Sequence, residues 1–211
     1  IIHMTLAVVE ECIQKRAIGY DKKGDNHYDT ISAFIKSMRG SDPDAAVYYL
    51  ARMIYAGEDP KFIARRIVIC AAEDVGNADP QALILANSAA SAINFIGMPE
   101  GQIILCQAAA YVATAPKSNA AVNGIFSALS DVKTYGIKTI PPHLQDAHYS
   151  SAGELGHGIG YKYAHDYKNH YVRQQFLPDE LLGNTYYEPS HHGYEKKIRE
   201  WMEFIKKEAE N

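Results

Sequence analysis

The sequence predicts an all-α protein: an antiparallel helical bundle followed by an irregular tyrosine- and glycine-rich C-terminal extension. Three observations carry this expectation. Apolar residues recur at helical spacing through the first two-thirds of the chain. The pairs Asp42-Pro43, Asp59-Pro60 and Asp79-Pro80 mark helix starts, and Gly57, Gly76 and Gly97 close the corresponding segments. Aspartate accepts hydrogen bonds from the free amides of a first turn, and proline tolerates a position whose N–H would be unpaired anyway. Glycine adopts the left-handed conformation that helix ends need.

The elements follow in order. Thr5 caps a short helix reaching about Arg16, and residues 19–26 form a polar connection. Ile31, Phe34, Ile35 and Met38 make the next apolar stripe, which Gly40 ends. Ala46, Tyr49, Leu50, Met53 and Ile54 keep the period, as do Ile63, Ile67, Cys70 and Ala71. Residues 82–92 are rich in Ala and Ser, which lets helices approach closely. A fourth start at Pro99-Glu100 opens a segment ending at Ala115-Pro116. A fifth runs from Ser118 or Asn119 to Tyr135-Gly136. Such short connections predict antiparallel neighbours. The Asp-Pro starts share no residue pattern beyond their caps, so they are capping signals and not a true repeat.

After Ile137 the character changes. Pro141-Pro142 breaks any helix, and Gly153, Gly156, Gly158 and Gly160 punctuate a stretch in which tyrosine and histidine concentrate. This predicts irregular, tyrosine-packed structure wrapping the helical body, with a short hairpin near Tyr186-Tyr187. A final amphipathic helix over about 193–208 carries Ile198, Trp201, Met202 and Ile205 on one face. The expected divisions are 1–18, 19–136 and 137–211.

Composition narrows the function classes. The 211 residues are 47% hydrophobic and 22% charged, as in ordinary globular chains. No uninterrupted apolar run of about 20 residues predicts a membrane span. The start lacks the basic lead and cleavage site of a signal peptide, and Ile-Ile-His-Met reads as a chain cut from something longer. Cys12, Cys70 and Cys106 lie far apart and predict buried free thiols in a reducing cytoplasm. A net charge of −4 argues against an autonomous nucleic-acid-binding module, which needs cations to neutralise phosphates, although a local basic patch stays open.

Most tempting chemistry fails on inspection. No glycine is followed by lysine, so the phosphate-cradling G-x-x-x-x-G-K-[ST] loop is absent, and there is no H-E-x-x-H helix. Glu154/His157 and Glu188/His191 have di-iron spacing, but glycines surround the first pair and Pro189 interrupts the second. His165, His170 and His192 read as polar caps or surface groups. Catalytic, cofactor-binding and metal-ligating residues are therefore expected to be none. Docking candidates remain. Lys36 with Arg39, and Arg65 with Arg66, form either solvated faces paired with Glu73, Asp74 or Asp44, or a dock for phosphate or acidic peptide. Lys117 follows Pro116 at a helix start, where free amides can also hold an anion. Tyr161, Tyr163, Tyr167 and Tyr171 beside Lys162 and Lys168 suggest a stacking platform for single strands. Tyrosine packing in an irregular core is the plainer reading.

Several long motifs occur together: residues 27–46 (His27-Tyr28-Asp29 through Ala46), Leu50-Ala51-Arg52-Met53, Gly57-Glu58-Asp59-Pro60 and Phe62-Ile63-Ala64-Arg65-Arg66. Glu73-Asp74-Val75-Gly76, Ile96-Gly97-Met98-Pro99-Glu100-Gly101 and Ala113-Thr114-Ala115-Pro116-Lys117-Ser118-Asn119 continue the series, with Gly160-Tyr161-Lys162-Tyr163 and Gly193-Tyr194-Glu195-Lys196 later. Together they closely resemble the C-terminal region of the RarA/MgsA family of AAA+ ATPases, relatives of the Werner-helicase-interacting protein. The resemblance implies a homotetramer-forming helical region like the collar of clamp loaders, with residues 1 to about 16 as the end of the AAA+ lid. It further implies a parent DNA-dependent ATPase, cytoplasmic at the nucleoid and replication fork, that associates with single-stranded-DNA-binding protein. ATP and Mg would belong to an N-terminal part, and no cofactor to this region. The expected role is self-assembly and partner docking in replication-fork maintenance and recombination. The alternatives are a nucleic-acid-binding module and, further off, a metal-dependent hydrolase.

Overall fold

The structure, a computed structural model, describes residues 5–6, 25–146 and 157–209. Most of the helix expected over 5–16 lies outside these residues, as do Cys12 and Glu154. Two compact units divide between Asn119 and Ala120.

Among the described residues the first unit is built of helices: α1 (Asp25–Arg39), α2 (Pro43–Tyr55), α3 (Pro60–Cys70), α4 (Gln81–Ile96) and α5 (Gly101–Thr114). The Asp-Pro grammar operates as the residues dictate. Asp42 accepts from the Ala45 amide at 2.9 Å, Asp59 from Lys61 at 3.0 Å and Asp79 from Gln81 at 3.1 Å. Between α3 and α4 the chain departs from expectation. It passes through a π-helical turn at Ala71–Val75 and a 3-10 turn at Gly76–Ala78, where an unbroken α segment was expected to run to Gly76. One extra residue in a single turn is invisible to a count of apolar spacing.

Helix α5 is the centre of this unit and packs against α1, α2, α3 and α4. Leu105, Ala108, Ala109, Val112 and Ala113 are fully buried, as are Phe34, Met38, Met53, Ile63 and Ile67 around them. A helix contacted on so many sides must be apolar around much of its girth, and its alanines keep the neighbours close. Each large apolar side chain buried this way contributes about 1.5–3 kcal/mol. Gly101 sits where α4 and α5 meet: a Cβ there would lie 2.8 Å from Ile93 Cδ1, so the tip of that side chain would have to shift.

The second unit contains α6 (Ala120–Tyr135) and α7 (Glu195–Glu208), and the described residues between them are irregular chain with single 3-10 turns. Gly124 lets α6 lie against the backbone of Tyr186, since a Cβ would sit 2.7 Å from that carbonyl oxygen. The Tyr186 hydroxyl donates to Asp131 at 2.8 Å and the Asn184 amide to the same carboxylate at 2.9 Å. These contacts tie α6 to the chain around residues 184–186. Fully buried Glu195 accepts from the Ser190 amide at 2.7 Å and the Tyr187 hydroxyl at 3.1 Å, fixing the entry to α7.

Two expectations are corrected. No strand occurs among the described residues, so the hairpin near Tyr186-Tyr187 does not form; their hydroxyls go to carboxylates and the Tyr186 carbonyl faces Gly124. The tyrosines are also less packed than expected. Tyr161, Tyr163 and Tyr167 are 48%, 54% and 43% exposed, while Tyr171, Tyr186 and Tyr187 are half-buried. On α7, Ile198, Met202 and Ile205 are half-buried, and Trp201 is exposed.

Candidate functional site

The π-helical turn carries a polar cluster. Arg39 Nε, at the end of α1, donates to Asp74 Oδ1 at 2.5 Å, and Nη2 reaches Glu73 at 3.3 Å. The other Asp74 oxygen accepts from the Cys70 thiol at 3.2 Å, and the Asp74 carbonyl accepts from the Ser118 amide at 2.9 Å. Hydrogen bonding to Asp74 raises the Arg39 pKa above its ordinary value. Burial, reinforced by the Asp74 carboxylate, pushes the Cys70 thiol well up. The thiol is therefore protonated and inert, because the thiolate is the nucleophile.

Lys117 is occupied in a different way. Its ammonium donates to the carbonyls of Val112, Ala113 and Ala115 at 2.9, 3.0 and 2.6 Å. An ammonium has three donors, so all three are engaged in closing the C-terminal end of α5, where a cation also suits the helix dipole. Burial lowers its pKa, partly offset by the Asp74 carboxylate. Reading forward from Pro116, the lysine belongs to a helix start; in space it reaches backward.

The other candidates scatter. Lys36 is exposed on α1. The Arg65 guanidinium lies over the Phe62 ring at 5.3 Å. Arg66 is half-buried, its Nε without an acceptor among the described residues. Tyr161 and Lys162 are exposed in the second unit. Lys162 lines a pocket of about 320 Å³ with Tyr167, Lys168, Tyr171 and Arg173. Arg173 was not singled out from the sequence.

Two apolar surfaces also escaped the sequence reading. A groove of about 580 Å³ between α4 and α5 is lined by Ile84, Leu85 and Ile104, with Gln81, Gln107 and Tyr111 among its polar groups. The Tyr111 hydroxyl donates to Asp79 at 2.8 Å, which raises its pKa. On α6, Ile125, Phe126, Leu129 and Val132 are exposed, and Ile137 beyond it is 96% exposed. Their spacing was legible as one helical face; that no described residue covers it was not.

No glycine precedes a lysine, and among the described residues no three His, Cys, Asp or Glu side chains converge. No described helix is long and apolar enough to cross a membrane.

A family model described as "AAA C-terminal domain" matches residues 1–39, which places the start of this helical chain among the C-terminal domains of AAA proteins. A second, described as "MgsA AAA+ ATPase C terminal", matches residues 40–206. The chain belongs to this MgsA C-terminal family. It is 49% identical over 192 residues to "Replication-associated recombination protein A" of Bacillus subtilis, covering 91% of this chain and 45% of that protein. Identity to the protein of the same name from Escherichia coli K12 is 41% over 205 residues, covering 97% and 46%. "ATPase WRNIP1" of Dictyostelium discoideum is 36% identical over 188 residues, covering 89% and 22%. The chain thus spans less than half the length of the curated relatives it matches.

Proposed function

We propose that this chain is the self-assembly and partner-docking region of a DNA-dependent AAA+ ATPase acting in replication-fork maintenance and recombination. ATP and magnesium are handled by another part of that protein, and this region takes no cofactor of its own. The observation carrying the assembly reading is the bare apolar face of α6. A contiguous exposed patch of Ile, Phe, Leu and Val costs free energy in water and marks an interaction site. The occupant is a second copy of this chain, giving a homotetramer, and single-stranded-DNA-binding protein and DNA are partners of the whole assembly. Support for those partners comes from the recombination relatives and from the family resemblance.

Light scattering over a concentration series tests the assembly. A mass four times the 23.4 kDa chain is expected, falling toward the monomer in Phe126→Glu. A monomer at every concentration would overturn it.

A further inference from the structure

We propose that the pocket between residues 162–173 and the end of α7 binds a base–phosphate unit of single-stranded nucleic acid. Its lining brings Lys162, Lys168 and Arg173 beside Tyr167 and Tyr171, with Glu208 at its edge. A volume of about 320 Å³ suits one nucleotide. Cations that follow the phosphates, alternating with rings that stack on bases, are the combination single strands require.

The pocket is built and not merely exposed. The Gln174 side chain accepts from the Lys162 amide at 3.2 Å and donates to the Lys162 carbonyl at 2.8 Å, pinning that backbone. Asn169 and His170 both adopt left-handed φ, at 57° and 52°, turning the chain sharply between Lys168 and Tyr171. Non-glycine residues hold this conformation at a cost of about 1 kcal/mol or more each, and only where their surroundings over-determine it. Among the described residues no carboxylate pairs with Lys162. Lys168 instead donates to Glu208 at 2.5 Å. The Glu208 carboxylate thus holds a cation that a phosphate would otherwise take, and an incoming strand must displace it. An acidic peptide could use the cations but would leave the rings idle. The rings decide for a base.

The test is fluorescence anisotropy of a labelled oligothymidylate titrated with the 211-residue chain at low salt. Salt-sensitive binding is expected. Lys162→Ala and Arg173→Ala should each weaken it several-fold and lower the salt slope by about 0.7 for each phosphate no longer neutralised. Tyr167→Ala should weaken it about tenfold, while Tyr167→Phe keeps the ring and the affinity. Glu208→Gln should tighten it, an outcome that loss of folding cannot imitate. Light scattering on each variant separates this site from assembly. The proposal is overturned if no oligonucleotide binds, if binding is indifferent to these substitutions, or if an Asp- and Glu-rich peptide binds where the oligonucleotide does not.

Discussion

Arg39 and Asp74, 35 residues apart in sequence, meet at 2.5 Å and join the end of α1 to the π-helical turn. The Arg39 side chain is 48% exposed and that of Asp74 10%, so the pair straddles the surface. Removing the arginine leaves a nearly buried carboxylate with the Cys70 thiol as its hydrogen-bond donor and the Lys117 ammonium in its electrostatic surroundings. Arg39→Ala should cost about 1–3 kcal/mol in urea unfolding. Solvent screening on the arginine side keeps the pairwise coupling nearer about 1 kcal/mol in a double-mutant cycle with Asp74→Ala.

Lys117→Ala removes three hydrogen bonds from the closing turn of α5. A loss of about 2 kcal/mol is expected, seen as a lower urea midpoint at unchanged slope. Oligonucleotide affinity should not change, because the ammonium has no donor left to offer a phosphate.

Cys70 gives a pH dependence with a definite sign. Its folded-state pKa lies above the ordinary value of 9.0, so the folded chain keeps a proton that the unfolded chain releases. The stabilisation is fully present below pH 9.0 and is lost as pH rises above it. Stability of the wild-type chain relative to Cys70→Ala should therefore fall between about pH 9 and 11. Under native conditions at neutral pH, Cys70 should resist alkylation, checked by mass spectrometry of its peptide.

Gly124→Ala places a methyl group 2.7 Å from the Tyr186 carbonyl oxygen, and a backbone atom cannot swing aside as a side chain can. A cost of about 1–3 kcal/mol is expected. Hydrogen exchange should accelerate around residues 184–187 and leave α5 unchanged.

Much of the first unit was legible because its signals are local. Asp42, Asp59 and Asp79 each bond an amide two or three residues on, and the Ile31, Phe34 and Met38 stripe repeats within one helix. The candidate sites were less legible because their partners are distant in sequence. Lys168 meets Glu208 across 40 residues, and Gln174 clamps Lys162 across 12. The sequence brought Lys162, Tyr167, Lys168 and Tyr171 into view by composition alone, and no spacing rule could add Arg173. Lys117 was misleading for a different reason: a lysine beside a proline says nothing about which helix its long side chain will serve.

The central position of α5 has a consequence for how the chain is made. A ribosome delivers α1, α2, α3 and α4 before the segment on which they all lie. Until residues 101–114 clear the exit tunnel, α1 can pack on α2 and α3 on α4, but the helix that joins the two pairs is missing. The nascent chain passes through an interval in which the apolar surface meant for α5 stays uncovered. That interval is where chaperone capture and stray association between neighbouring nascent chains compete with folding.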